Sequence, residues 1–482
     1  LGSIDVPGRQ LDVRAIRRLR LDGRQQYLRT ILELAGAPGA DQAITWVGDL
    51  QQGDGGKGAM TDRLAAVHQL VVRAQGGDNA GHTTVFEDDT GRQVVFRNHI
   101  LPSGMRHPGR IGILGNGVLI NPERLSREFE AIAEQVPDAL DRLLISGRAH
   151  LVLPLHREVD ERQEHDKFGR TVEIGTTQRG IGPANISKIN RVGVRVWDLR
   201  DPHRVEQRIR DNVQFFALPE AKVRENVDWL LAYRDLLLAR AVDSVPLINA
   251  AANAGYSILF EGAQGPLIDP EHGIYPYVTT SPTAFYSVAS GSGLEPGRVN
   301  HRIGVLKAYQ TMVGNGAFVT EDLSPLGARI REVGNEFGTT TARERRCGWL
   351  DLVQARWAAE LNRYTSVVLT KLDVLDTFEQ IGVCVAYEHN GNLVTDFQPE
   401  HEFLSACTPV YRFFPGWLRD TRGLTRYADL PPQAREFIDF IEDYLDTPVG
   451  AATKGPRDTD MLMKPASEIA GILVETPGLV KR

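Results

Sequence analysis

Short apolar runs, each closed by a glycine-rich or polar stretch, set the rhythm of this chain. "AITWVGDL" (43–50) is such a run and leads into "QQGDGGKG"; the stretch after it, "AMTDRLAAVHQL" (59–70), carries apolar residues at helical spacing. The unit recurs. "RIGILGNGVLI" (110–120) reads as a buried strand with a glycine turn, and amphipathic "EFEAIAEQV" (128–136) follows it. "YSILFEGAQG" (256–265) and "YTSVVLTKLDVL" (364–375) are again strand, then loop. Strands alternating with helices predict an α/β fold with a mainly parallel central sheet flanked by helices. Ligands of such sheets bind beyond the carboxyl ends of the strands, so the loops that close these runs are where chemistry is expected. Residues 198–250 form a Leu-rich helical stretch and 377–440 mix both periodicities; they read as smaller helical and α+β insertions in one domain spanning 41–482. Residues 1–40 differ. Arg9, Arg14, Arg17, Arg18, Arg20, Arg24 and Arg29 punctuate Leu11, Ile16, Leu19, Leu28, Ile31 and Leu32, which predicts an N-terminal helical extension. Asp5, Asp12, Asp22 and Glu33 argue against a transit peptide, a segment poor in acids.

Charge and composition narrow the function. With 55 basic and 62 acidic residues and a net charge of −7, the chain lacks the basic excess of a nucleic-acid binder. No apolar run reaches the roughly 18–20 residues of a membrane span. Cys347, Cys384 and Cys407 are odd in number and have neither metal nor disulfide spacing, which fits the cytoplasm.

The loop "GDLQQGDGGKGAMTDRLA" (48–65) looks like a phosphate cradle but breaks the Walker A pattern: Gly56-Lys57 is followed by Gly58, Gln51 stands at the leading position, and an acid, Asp54, sits in the middle. "TKLD" (370–373) follows an apolar strand and is similar to the turn that reads guanine. A single carboxylate there can accept from both N1–H and the 2-amino group, a pair that adenine lacks. His82 lies among small polar residues in "RAQGGDNAGHTTV" (73–85), a setting that suits a phosphate donor or general acid better than a packed core. "TTQRGIGPA" (176–184) offers hydroxyls and exposed N–H groups to phosphate oxygens, and "TTTARERRCGW" (339–349) sets threonines beside arginines, which suits a carboxylate or phosphate. Together these make a GTP-like nucleotide site, a second anion site and a carboxylate–histidine pair, the set needed to join a carboxylate-bearing substrate to a nucleotide by phosphoryl activation.

In order along the chain, "GDGGKG", "QGGDNAGHT", "LPSGM", "LGNGVLI", "IGTTQRGIGPA", "FEGAQG", "GIYPYVT", "VLKAYQTMVGNG", "NEFGTTTARERRCGWLD", "TKLDVLD" and "KGPRDT" resemble the adenylosuccinate synthetase family from about Trp46 to Leu462. The resemblance implies a Mg²⁺- and GTP-dependent homodimeric ligase that condenses IMP with L-aspartate through a 6-phosphoryl intermediate. It makes Asp54 the base that takes the N1 proton and, with Gly81, a Mg²⁺ ligand. His82 becomes the acid toward the donor phosphate. Lys57, Gly53, Gly56 and Gly58 contact the transferring phosphoryl group. Asn79, Thr177, Gln264, Thr279 and Arg343 would bind the acceptor nucleotide, and Arg191 would reach that of the partner subunit. Thr340, Thr341, Arg343 and Arg345 would hold L-aspartate, while Lys371, Asp373, Gly455 and Pro456 would bracket guanine.

The chain departs from the family pattern at several points. Gly55 stands for Glu, Ala59 for Lys, Gln52 for Trp and Met312 for Arg; Glu344 replaces a basic residue, Arg457-Asp458 inverts Asp-Arg, and 280–287 diverge altogether. Two further readings follow from these departures. One is a paralogue running the same reaction on another 6-oxopurine nucleotide such as dGMP. The other is an inactive nucleotide-binding regulator.

Overall fold

The apolar runs do become strands. A computed structural model describes residues 4–6, 9–11, 35–38, 42–87, 91–166, 173–337 and 344–474. Its largest sheet has 11 strands: β1 (Ile44–Asp49), β2 (Leu70–Gly76), β3 (Ile111–Ile120), β4 (Leu143–Ser146), β5 (His150–Leu151), β6 (Ala241–Val242), β7 (Ile258–Glu261), β8 (His301–Lys307), β9 (Ser366–Thr370), β10 (Val449–Thr453) and β11 (Met461–Met463). They lie in the order β6-β4-β3-β2-β7-β1-β8-β9-β10-β11, with β5 paired to β3. Every pairing is parallel except β10 with β11.

Burial explains why these strands read as unbroken apolar runs: every residue of β1, β2, β7 and β9 is buried, so both faces must be covered. Successive side chains serve opposite faces. On one, Trp46, Val72, Phe260 and Leu369 meet Leu247 and Ala251 of helix Ser244–Asn253 and Ala355 and Ala358 of helix Leu352–Asn362. On the other, Val47, Val71, Leu259 and Val305 meet Met60 and Leu64 of α1 (Lys57–Ala65) and Ile469 of helix Glu468–Val474. The 198–250 insertion is helical, and the 377–440 region pairs antiparallel strands Gln380–His389 and Thr408–Pro415 beside helix Pro432–Leu445.

Two expectations need correction. The helix after the glycine loop ends at Ala65 and not near residue 70. Buried His68 bonds back to the Leu64 carbonyl and to Thr45 Oγ1, each at 2.8 Å, and the β-branched run from Leu70 then enters the sheet as β2. Near the N-terminus, Arg9–Leu11 pairs antiparallel with Ile4–Val6, so Arg9 and Leu11 lie in a strand although their spacing predicts a helix. The rest of that helical reading, 12–34, falls outside the described residues.

Candidate active site

β1 ends on Asp49, and the loop beyond it is built around that carboxylate. Asp49, 2% exposed, accepts from the backbone N–H of Gln51 (2.9 Å) and Gly55 (3.1 Å) and from Lys57 Nζ (2.7 Å). A Cβ at residue 55 would stand 2.7 Å from Asp49 Oδ2, so a side chain there would have to displace that hydrogen-bonded carboxylate. Between Gly53 and Gly55, Asp54 takes a left-handed backbone (φ 58°) that costs a non-glycine residue on the order of 1 kcal/mol. Its carboxylate, 40% exposed, is held by Arg345 Nη2 at 2.8 Å. Helix α1 has no side-chain cap, which leaves its first N–H groups to an anion.

His82 opens the hairpin His82–Glu87/Gln93–Asn98 and packs on the first turn of α1, where a Cβ on Gly58 would come within 2.9 Å of its own. The ring is buried and its Nδ1 bonds the carboxylate of Glu261, the last residue of β7. Glu261 also accepts from the Ser103 N–H (3.0 Å) and hydroxyl (2.5 Å). Burial pushes the Glu261 carboxyl up, but the charge and hydrogen bond of His82, helped by Arg73 and Ser103, bring it to about 2. Burial holds His82 below the ordinary imidazole range, against the pull of Glu261. Ionised Glu261 thus accepts a hydrogen bond from Nδ1–H and keeps that proton on the ring, which leaves Nε2 as the working nitrogen.

A cavity of about 1100 Å³ opens in front of these groups, and Gly53, Asp54, Lys57, Asn79, Gly81 and His82 line it. So do Thr177, Gln264, Thr279 and Arg345, brought from distant parts of the chain by the strand ends. Three buried oxygens in this lining have no partner: Asp78 Oδ1, Asn79 Oδ1 and Gln264 Oε1. A ligand carrying N–H or O–H groups would satisfy them. Of the divergent stretch 280–287, only Thr280 lines the cavity. Three of the others are tied to Asp269, a buried carboxylate that accepts from the N–H groups of Thr283 (2.7 Å) and Ala284 (3.0 Å) and from the Tyr286 hydroxyl (2.9 Å).

The residues expected to bracket guanine do not line this cavity. Lys371 (φ 58°) follows β9, and its N–H donates to Thr453 Oγ1 (3.1 Å) at the end of β10, just before Gly455 and Pro456. Asp373 lies in the short 3₁₀ turn Leu372–Leu375; burial, then the neighbouring charge of Asp376, raises its carboxyl to about 6. Lys371 Nζ bonds Glu336 at 2.6 Å. Burial pushes the Glu336 carboxyl up, but the charges of Lys307, Lys371 and Arg345 outweigh it and hold the group well below the usual range. Exposed Arg191 (φ 69°) follows helix α2 (Ile181–Ile189) and does not line the cavity. Gly56 and Gly58 frame the start of α1. Thr340, Thr341 and Arg343 fall outside the described residues.

Among the described residues no cluster of three or more His, Cys, Asp or Glu could hold a metal by itself. Mg²⁺ needs no such cluster, since it takes one or two carboxylates and completes its shell with phosphate and water. The half-exposed carboxylate of Asp54 and the backbone of Gly81, both on the cavity wall, fit that donor set. Sequence reasoning missed Asp49, Asp78, Glu261 and Glu336. For Asp49 and Glu261 a signal existed: an acid closing an apolar strand of a parallel sheet faces the ligand side.

The family model described as adenylosuccinate synthetase matches residues 47–462. The adenylosuccinate synthetase of Desulforamulus reducens is 39% identical over 421 residues, covering 86% of this chain and 96% of that one. That of Carboxydothermus hydrogenoformans is 41% identical over 415 residues, 84% and 95% of the two chains. The solved structure of the fully ligated Plasmodium falciparum enzyme superposes with a TM-score of 0.82 at 34% identity, covering 87% of this chain and 99% of that one. The cyanophage S-2L succinoaminodeoxyadenylate synthetase, solved with dGMP and dATP, shares the fold at a TM-score of 0.54 and 21% identity over 90% and 99% of the two chains. With its glycine loop after β1, His82 after β2 and the turn after β9 following strands of one parallel sheet, and with a match that runs nearly from β1 to β11, this chain belongs to the adenylosuccinate synthetase family.

Proposed function

We propose that this protein is the GTP-dependent ligase that condenses IMP with L-aspartate to adenylosuccinate. The observation that carries the reading is the meeting of Asp54, Lys57 and His82 at one cavity, with Glu261 bonded to His82 behind it. Asp54 takes the N1 proton of inosine, which places negative charge on O6. O6 then attacks the γ-phosphorus of GTP, the bond to the β-phosphate oxygen breaks, and GDP leaves. Lys57 and the N–H groups of α1 neutralise the moving phosphoryl group. His82 donates from Nε2 to the phosphate oxygens, whose charge favours its protonation while Glu261 supports the imidazolium. The amine of L-aspartate displaces phosphate from C6 in the second step. Mg²⁺ held by Asp54 and Gly81 would offset phosphate charge. Arg345 would hold the carboxylate of L-aspartate, taking it in place of Asp54.

The unpartnered acceptors of Asn79 and Gln264 would face the purine. Residues 281–287 do not line the cavity, whereas divergent Gln52, Thr280 and Met312 do, so the choice of IMP over a 2-amino acceptor rests on the family match. Two protomers would share the sites through Arg191. Purified protein incubated with GTP, Mg²⁺ and L-aspartate should convert IMP and leave GMP and dGMP unchanged. Conversion of dGMP in preference to IMP would overturn the acceptor assignment, and absence of product with all three would overturn the reaction.

A further inference from the structure

One carboxylate lies where the two ends of the site meet. Glu336 follows helix α3 (Pro325–Gly334), is fully buried and receives four donors. Lys371 Nζ (2.6 Å), Lys307 Nζ (3.1 Å) and the Tyr309 hydroxyl (2.5 Å) reach Oε1, and Arg345 Nη1 (2.5 Å) reaches Oε2. Each cation has a second attachment. Lys371 begins the turn after β9 that carries Asp373. Arg345 turns its Nη2 to Asp54 at 2.8 Å, and its backbone N–H donates to the Glu336 carbonyl at 3.0 Å. Lys307 ends β8 and donates to Thr311 Oγ1 (2.6 Å) on the cavity wall. Three cations around one dry carboxylate cannot be rearranged singly, because each relies on the same counter-charge.

Resting on the reaction proposed above, we infer that Glu336 is a positioning residue that couples the donor-base site to the amino-acid site. It touches no substrate. It sets Lys371 and Arg345 from a single carboxylate, so the geometry of one end depends on the other. Lose the charge, and Lys307, Lys371 and Arg345 repel one another and both ends relax together. Lose Lys371 alone, and Glu336 is shared among fewer cations and grips Arg345 harder, away from a substrate carboxylate.

The test is steady-state kinetics of the full chain. Glu336→Gln should raise KM for GTP and for L-aspartate together, each by about tenfold, within the usual span of site-to-site coupling. KM for IMP should move by less than about threefold. Lys371→Ala replaces a side chain that is 36% exposed. It should raise KM for L-aspartate about fivefold when Glu336 is present and leave it unchanged in the Glu336→Gln background. A purely structural role would give equal effects in both backgrounds. The inference fails if only one KM moves, if all three move alike, or if Lys371→Ala acts equally with and without Glu336. Should Glu336→Gln not fold, an unchanged KM for L-aspartate in Lys371→Ala alone overturns it. Wild-type protein that makes no adenylosuccinate would instead overturn the reaction, a failure visible before any variant is assayed.

Discussion

Glu261→Gln should cost turnover while sparing substrate binding, and the local hydrogen bonds say why. Oε2 of Glu261 accepts from the Ser103 backbone N–H at 3.0 Å, a donor that cannot turn around. Oε1 accepts from the Ser103 hydroxyl at 2.5 Å, which can rotate, and from His82 Nδ1. A glutamine must therefore give its carbonyl oxygen to the Ser103 N–H and turn its NH₂ toward His82. The amide then donates to Nδ1 and drives the ring proton to Nε2. In that tautomer the ring cannot become an imidazolium without setting donor against donor. The lost charge-assisted bond alone is worth about 1.5–3 kcal/mol. That disfavours the acid form by roughly 10- to 150-fold. Loss of the carboxylate's charge in a buried site adds to this, and general acid catalysis as a whole contributes about 10²–10⁴-fold.

The expected result is a kcat lower by about 10²–10⁴-fold. KM for GTP should stay within about threefold, because Glu261 acts through His82 and not on the nucleotide. The assay follows adenylosuccinate formation by ultraviolet absorbance, with phosphate release as an independent readout and thermal unfolding as the check on the fold. His82→Asn should be about as slow, and the double variant Glu261→Gln/His82→Asn no slower than His82→Asn alone, since the two residues act as one unit. A folded Glu261→Gln enzyme that keeps more than about a tenth of wild-type kcat would falsify the proposed acid.

Asp54→Asn should lower kcat by more than about 10²-fold while GTP still binds, because an amide cannot take the N1 proton. Mixing it with Arg191→Leu should restore activity if sites are shared, since one hybrid site then holds both wild-type residues; no recovery after confirmed subunit exchange would exclude sharing. Asp373→Asn should shift the phosphoryl donor from GTP toward xanthosine triphosphate by up to about 10⁴-fold in relative kcat/KM, and a ratio within about threefold of wild type would refute the base-reading turn. In the proposed base-reading role the ionised form of Asp373 would be the acceptor, and burial raises its carboxyl to about 6, so kcat/KM for GTP should be full above that pH and fall as pH drops through it. The fall should vanish in Asp373→Asn, and a profile shared by both proteins would assign the titration elsewhere.

How much of this was legible in the sequence depends on the range of the interaction involved. Strand and helix follow from local periodicity, and a parallel sheet then gathers the carboxyl ends of its strands without further instruction. That is why Asp54, His82 and Thr177, scattered along the chain, could be placed in one site from their motifs, with Gln264 added by the family resemblance, and all four line one cavity. Local spacing misled at Arg9–Leu11, where a helical pattern lies in a strand pair, and at residue 65, where the strand signal of the next run overrides the helical one. The partners of the reactive groups were harder to see. Glu261 lies 179 residues from His82, and nothing in either motif marks the bond between them.

The same limit shaped the reading of the divergent loop at 280–287. On a sequence those residues stand beside "YPYVT" and look like a rebuilt acceptor pocket. In the fold Thr283, Ala284 and Tyr286 serve Asp269, a buried carboxylate that must collect donors or remain desolvated and unpaired. Thr283 and Ala284 supply backbone N–H groups and Tyr286 a hydroxyl, while Asn185 on α2 donates to Thr280 at 2.8 Å and braces the one residue that does face the cavity. Substitutions can therefore accumulate at 281–287 as long as three donors still converge on Asp269. Those at residue 280, or at the unpartnered acceptors Asp78, Asn79 and Gln264, cannot change without altering what the cavity presents to a purine. Divergence near a site bears on specificity only through the side chains that reach it. Here Gln52, Thr280 and Met312 are the divergent residues that reach the cavity, and 281–287 lie on the scaffold behind it.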